Sequence, residues 1–66
     1  MKNILKIERA RHSLTQQGLA EKIGVSRQTI NAMESNKYVP STVLALKIAR
    51  LFQLKVEEIF LLEEND

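Results

Sequence analysis

Three residues in one short stretch leave the chain between them few ways to fold. In TQQGLAEKIGVSRQTINAME, Thr15 to Glu34, Thr15 is a good helix N-cap, Gly24 is suited to end a helix, and Ser26 can cap the next. The spacing predicts a short helix from Gln16 to Lys22, a three-residue turn, and a second helix from Arg27 to about Ser35. Two helices joined this tightly must cross steeply and at close range. That crossing needs a small residue where they meet, a glycine in the turn and apolar residues facing a shared core. Ala20, Gly24 and the set Leu19, Ile23, Val25, Ile30 and Met33 supply them in order.

The flanking sequence predicts three further helices. Ile4, Leu5, Ile7, Ala10 and Leu14 fit one face of a first helix from about Asn3 to His12. Asn36, Lys37 and Pro40 mark a loop, since Asn tolerates a left-handed stop and Pro prevents continuation. Ser41 then opens a fourth helix whose broad apolar face, Val43, Leu44, Leu46, Ile48, Leu51 and Phe52, runs to about Phe52. A last, shorter helix is expected from Val56 to about Leu61, carrying Ile59 and Phe60. The fold class is therefore all-α, five short helices. The ends, Met1–Ile4 and Leu61–Glu63, are candidates for a minor two-stranded pairing. Residues 1–66 form one domain, with its central helix pair at 16–35.

A domain this small buries only about 60% of its unfolded surface and usually needs a supplement to its core. The chain has no cysteine and a single histidine, His12, which excludes a disulfide framework and a thiolate metal site. Self-association remains. Leu54, Val56, Ile59, Phe60 and Leu62 make a late apolar cluster too large for one small core, so part of the segment 54–63 is expected at a homodimer contact. The absence of cysteine and of an N-terminal apolar run fits a reducing cytoplasm, and no stretch approaches the roughly 18 apolar residues of a membrane span. No metal, cofactor or small-molecule ligand is expected, and no acid, base and nucleophile cluster suggests an enzyme.

Charge is unevenly placed. Met1–Lys55 holds all ten Lys and Arg against Glu8, Glu21 and Glu34, while Val56–Asp66 holds five acids and no cation. A basic body suits a polyanion partner, and an acidic tail should lie away from it. On the second helix of the central pair, Arg27, Gln28, Thr29, Asn31 and Ala32 lie off the apolar stripe. These residue types suit the DNA major groove: Arg pairs with guanine, Gln or Asn with adenine, and Thr or Ala methyls touch the thymine methyl. Glu57 and Glu58, adjacent in sequence, point in different directions and suit the start of the last helix; His12 suits the end of the first.

The stretches LTQQGLAEKIGVSRQTINAMESNKYVPS, ALKIARLF and VEEIF resemble the phage repressor and Cro family of helix-turn-helix regulators, particularly its short stand-alone prokaryotic members. The similarity spans Lys2 to Phe60. It implies a lambda-repressor-like DNA-binding domain whose third helix enters the major groove of operator DNA. Arg27, Gln28 and Asn31 match base-contacting positions, with Thr29 and Ala32 as neighbours. Gln16 matches a residue that meets a phosphate at a helix N-terminus; Gln17, Ser26, Asn36 and Lys37 are further expected phosphate contacts. Lys6 and Arg11 either join them or are solvated surface. Arg9 and Glu34 match a structural ion pair. The implied activity is that of a transcriptional regulator, by default a repressor, bound to a palindromic operator as a homodimer. An antitoxin-like or adaptor protein with autoregulatory DNA binding is the alternative. Three positions depart from the pattern: Gly18 lies inside a helix, Asn36 replaces a frequent glycine, and Lys55 replaces a Ser or Thr cap.

Overall fold

The computed structural model describes residues Met1 to Asp66. Its elements run β1 (Lys2–Asn3), α1 (Leu5–Arg11), α2 (Gln16–Ile23), α3 (Arg27–Glu34), α4 (Thr42–Phe52), α5 (Val56–Ile59) and β2 (Phe60–Leu61). Five helices form, and the termini pair as a two-stranded antiparallel ribbon with Lys2 opposite Leu61 and Asn3 opposite Phe60. The ribbon shortens its neighbours: α1 starts at Leu5 rather than Asn3, and α5 stops at Ile59 rather than Leu61. Asn3 explains the first boundary. Its Oδ1 accepts the Leu5 N–H at 3.0 Å, while its Nδ2 donates to the Met33 carbonyl at 2.9 Å and to Asn36 Oδ1 at 3.2 Å. One amide thus starts α1 and ties it to the end of α3.

The turn between α2 and α3 behaves as its residues dictate. Gly24 takes φ 75°, with its N–H donating to the Ala20 carbonyl at 2.9 Å. A Cβ there would meet nothing within 4 Å, so the glycine is needed for its backbone conformation and not for space. Ser26 Oγ then caps α3 by accepting the Thr29 N–H at 3.2 Å. Thr15 caps α2 through the Gly18 N–H at 2.9 Å, and a Cβ on Gly18 would stand 3.2 Å from that same Thr15 Oγ1. The glycine inside α2 clears the cap. At α5 the Lys55 ammonium cannot accept a bond, and Glu58 Oε1 takes the Lys55 N–H instead, at 2.9 Å.

Leu5, Leu19, Ala20, Ile30, Met33, Ile48 and Ile59 are fully buried, and Ile23, Leu44, Ala49, Phe52 and Phe60 complete the core. Two apolar expectations fail here. In α1, Ile7 and Ala10 face solvent and the buried position beside Leu5 is Glu8, 5% exposed. Its carboxylate accepts from Arg11 Nη1 at 3.2 Å and lies 3.4 Å from His12 Nε2, whose ring packs on Phe52 at 4.8 Å between centroids. In α4 the buried stripe is Leu44, Ile48, Ala49 and Phe52, leaving Val43 and Leu46 outside at 63% and 56% exposure. Ile59 and Phe60, expected at a dimer contact, are core residues of the chain itself, because the β1–β2 pairing draws this segment inward.

At the closed end, the Met1 amino group meets Glu63 Oε1 at 3.1 Å and Asp66 Oδ1 at 3.0 Å. The hydrogen bonds it donates to Asp66 and Glu63 raise that amine above its usual range. Part of the acidic tail is therefore neutralised by the chain's own N-terminus.

Arg9 and Glu34 join α1 to α3. Arg9 Nε and Nη2 donate to the two Glu34 oxygens at 2.7 and 3.2 Å, and Arg9 Nη1 donates to the Leu14 carbonyl at 2.8 Å. Burial alone pushes the Glu34 carboxyl up. Hydrogen bonds from Arg9 and Gln16, with the charges of Arg9 and Lys6, outweigh it and hold the group below its ordinary value of 4.5. A depressed carboxyl contributes stability above that ordinary value and loses it as pH falls through the lower, folded-state value. Denaturant unfolding followed downward from pH 6 should therefore show a loss of stability beginning below about pH 5, and Glu34→Gln should flatten that loss; an unchanged slope would show the pair uncoupled from folding.

Gln53, just past α4, holds φ 56° without being glycine. A left-handed residue costs about 1–2 kcal/mol where glycine costs about 0.5–1 kcal/mol in lost freedom. Gln53→Gly should raise the unfolding free energy by roughly 0.5–1 kcal/mol, measured by thermal or denaturant unfolding.

Candidate nucleic-acid interface

The caps and the turn leave the first half of α3 outside the core. Its buried residues are Ile30 and Met33; Arg27, Gln28 and Asn31 are exposed, and Thr29 and Ala32 are half-buried. Gln17, Ser26, Arg27, Gln28 and Asn31 line one open cleft that contains no apolar residue. Asn31 is also a wall of an adjoining hollow lined by Lys6, Gln16, Glu34 and Ser35. Residues separated by as many as 29 positions in sequence, from Lys6 to Ser35, thus meet along one side of α3.

Each expected contact has a definite local setting. The Gln16 and Gln17 N–H groups open α2 with no acceptor in the chain, as first-turn donors do, and a helix start of this kind attracts anions. Gln17 Nε2 donates to Glu21 at 3.2 Å. Ser26 Oγ and Thr29 Oγ1 bond each other at 3.0 Å, so both hydroxyls are already engaged in starting α3. Asn36 sits at φ 60° and Lys37 follows it, both exposed, in the turn that the Lys37 N–H closes onto the Ala32 carbonyl at 2.8 Å. Arg11 stands apart: it pairs with buried Glu8 and lines neither hollow. Lys6 lines the second.

The side chains at the centre are bonded to one another. Gln16 Nε2 donates to Glu34 Oε1 at 3.1 Å, and Arg27 Nε donates to Gln16 Oε1 at 3.4 Å. Glu34 therefore does more than pair with Arg9. Sequence reasoning also passed over Ser35 and Asn3. Ser35 was within reach of the pattern, since Asn31, Glu34 and Ser35 stand at the i, i+3, i+4 spacing of one helix face; the partners of Asn3 lie 30 and 33 residues away and leave no local signal.

No helix is long and apolar enough to cross a membrane. Residues 5–59 match the family described as Helix-turn-helix. The chain is 58% identical over 66 residues to an uncharacterised HTH-type transcriptional regulator of Methanocaldococcus jannaschii, with all of both chains covered. It is 50% identical, again over the whole of both chains, to the uncharacterised HTH-type transcriptional regulator YgzD of Bacillus subtilis. A solved structure of a Bacteroides fragilis protein, named for inferred DNA binding, superposes with a TM-score of 0.77 at 33% identity, covering 88% of this chain and 94% of that one. The tightly joined helix pair, the caps on either side of Gly24 and this match across most of the chain have one reading: the protein belongs to the helix-turn-helix family.

Proposed function

We propose that the protein is a sequence-specific regulator of transcription that binds double-stranded DNA, acting as a repressor on a palindromic operator as a homodimer in the cytoplasm. The observation that carries this reading is the all-polar cleft on the first half of α3, formed by Gln17, Ser26, Arg27, Gln28 and Asn31. An α-helix fits the major groove, and these side chains carry the donors and acceptors that tell base pairs apart there. Gln16 at the start of α2 and Asn36 and Lys37 beyond α3 bracket the cleft in sequence and supply phosphate contacts, which set register and not sequence. Its relatives are named as transcriptional regulators.

Support for the homodimer comes from the face that the core leaves uncovered. Val39, Val43, Leu46 and Leu62 are exposed at 63%, 63%, 56% and 83%. Leu46 and Val56 line two adjoining hollows on this face, one continuing to Val43 and Leu54, the other to Val39 and Pro40. Of the late apolar cluster, Leu54, Val56 and Leu62 remain available for contact; Ile59 and Phe60 act behind them as support. A two-fold dimer would present two α3 helices about 34 Å apart, one turn of B-DNA, and doubles the base contacts of a module that alone spans few base pairs. Occlusion of a promoter then accounts for repression.

Gln28→Ala or Asn31→Ala should weaken operator binding by roughly 1–3 kcal/mol and relax preference at one base position, read from binding isotherms on a panel of single-base variants. Lys37→Ala should weaken binding to all duplexes alike and lower the salt slope by about one; an unaltered slope would remove Lys37 from the phosphate contacts. Leu46→Glu should yield a folded monomer by sedimentation equilibrium where the wild type is a dimer. A monomeric wild type would overturn the dimer proposal.

A further inference from the structure

We propose that Glu34 is a positioning residue for DNA specificity: through Gln16 it aims Arg27 so that the arginine fork selects guanine. This rests on the reading of α3 as the base-contacting helix.

A carboxylate only accepts, and Arg9 already holds Glu34 ionised with bonds at 2.7 and 3.2 Å. The Gln16 amide beside it must therefore turn its NH₂ toward Glu34, where it donates to Oε1 at 3.1 Å. Its oxygen is then forced to the opposite side. That oxygen accepts from Arg27 Nε at 3.4 Å. An acceptor at this point suits a cation and would repel a carboxylate, so Glu34 dictates, from the far side of Gln16, what polarity residue 27 encounters.

The Arg27 bond to Gln16 uses Nε alone, and neither terminal guanidinium nitrogen has a partner within the chain. With Nε engaged, both terminal nitrogens stay free to form the fork that meets guanine O6 and N7 together. A lysine has no Nε edge to hold and no fork to aim. The remote end of the relay is anchored: Arg9 also donates to the Leu14 carbonyl, and Glu34 is 6% exposed at its side chain. Side-chain freedom that an exposed arginine would lose on meeting a base is thus restricted beforehand.

Gln16→Met is the informative substitution, because it removes both amide bonds at a half-buried position while leaving the Arg9–Glu34 pair intact. Binding is measured to the chain's preferred duplex and to one with the Arg27-contacted guanine changed to adenine, with melting temperature as the control for folding. Wild type should prefer guanine, and Gln16→Met should reduce that ratio about five-fold or more. Glu34→Gln, which lets the Gln16 amide flip, should reduce it in the same direction. In an Arg27→Lys background, Gln16→Met should change the ratio no further. A Gln16→Met protein that binds both duplexes more weakly by the same factor would leave Gln16 as a phosphate contact and overturn the positioning role. A wild type that distinguishes no sequence would overturn the DNA reading and this inference together.

Discussion

The structure depends on the packing of α2 against α3 across the turn at Gly24. Ala20 is fully buried at this helix pair, and Gly24 turns the chain at φ 75° in a conformation that a Cβ would strain even though nothing crowds it. With the turn made, Leu19 and Ile23 from one helix and Ile30 and Met33 from the other face a single core, joined by Leu5 from the helix before them and by Ile48 and Ile59 from the helices after. The polar half of α3 is then left outside by geometry. Helix caps from Thr15 and Ser26 fix where each helix begins, so the residues presented to the outside are set within a single turn.

Around that helix pair, polar side chains carry the ties that apolar packing cannot specify. Arg9 and Glu34 connect α1 to α3, Asn3 connects the N-terminal strand to the end of α3, and Glu58 starts α5 where Lys55 cannot. A buried ion pair is weak evidence of net stability, since desolvation opposes the Coulomb attraction. Its effect here is directional. The Glu34 carboxylate determines which way the Gln16 amide faces, and that amide is the neighbour of Arg27. The same pair that supports the fold thus reaches the surface proposed to meet DNA.

Much of this was legible in the sequence because it is local. Caps, a glycine stop and two-turn helices are encoded within a few residues, which is why α2 and α3 were placed to within a residue and the cleft residues Arg27, Gln28 and Asn31 were found together. The resemblance to the repressor and Cro family supplied the Arg9–Glu34 pair, whose partners lie 25 positions apart. What failed was the assignment of apolar faces in the outer helices. Periodicity favours Ile7 over Glu8 because an isolated carboxylate is expensive to bury; Arg11 and His12 stand at the i+3 and i+4 positions that compensate it, but the packing of His12 on Phe52, far along the chain, leaves no local signal. Ile59 and Phe60 belong to the late apolar cluster of which part is expected at a dimer contact; their burial has no local signal, because Phe60 lies opposite Asn3 in the terminal ribbon and the Ile59 carbonyl accepts the Ile4 N–H from the far end of the chain.

The central claim is that a helix held ready by its own core reads base sequence, and that two copies do so together. Selection of bound duplexes from a random-sequence pool tests this most directly. The account predicts enrichment of a palindrome whose half-sites are centred about one helical turn apart, with guanine at one position of each half. Recovery of no preferred sequence, with binding that depends on salt alone, would contradict it.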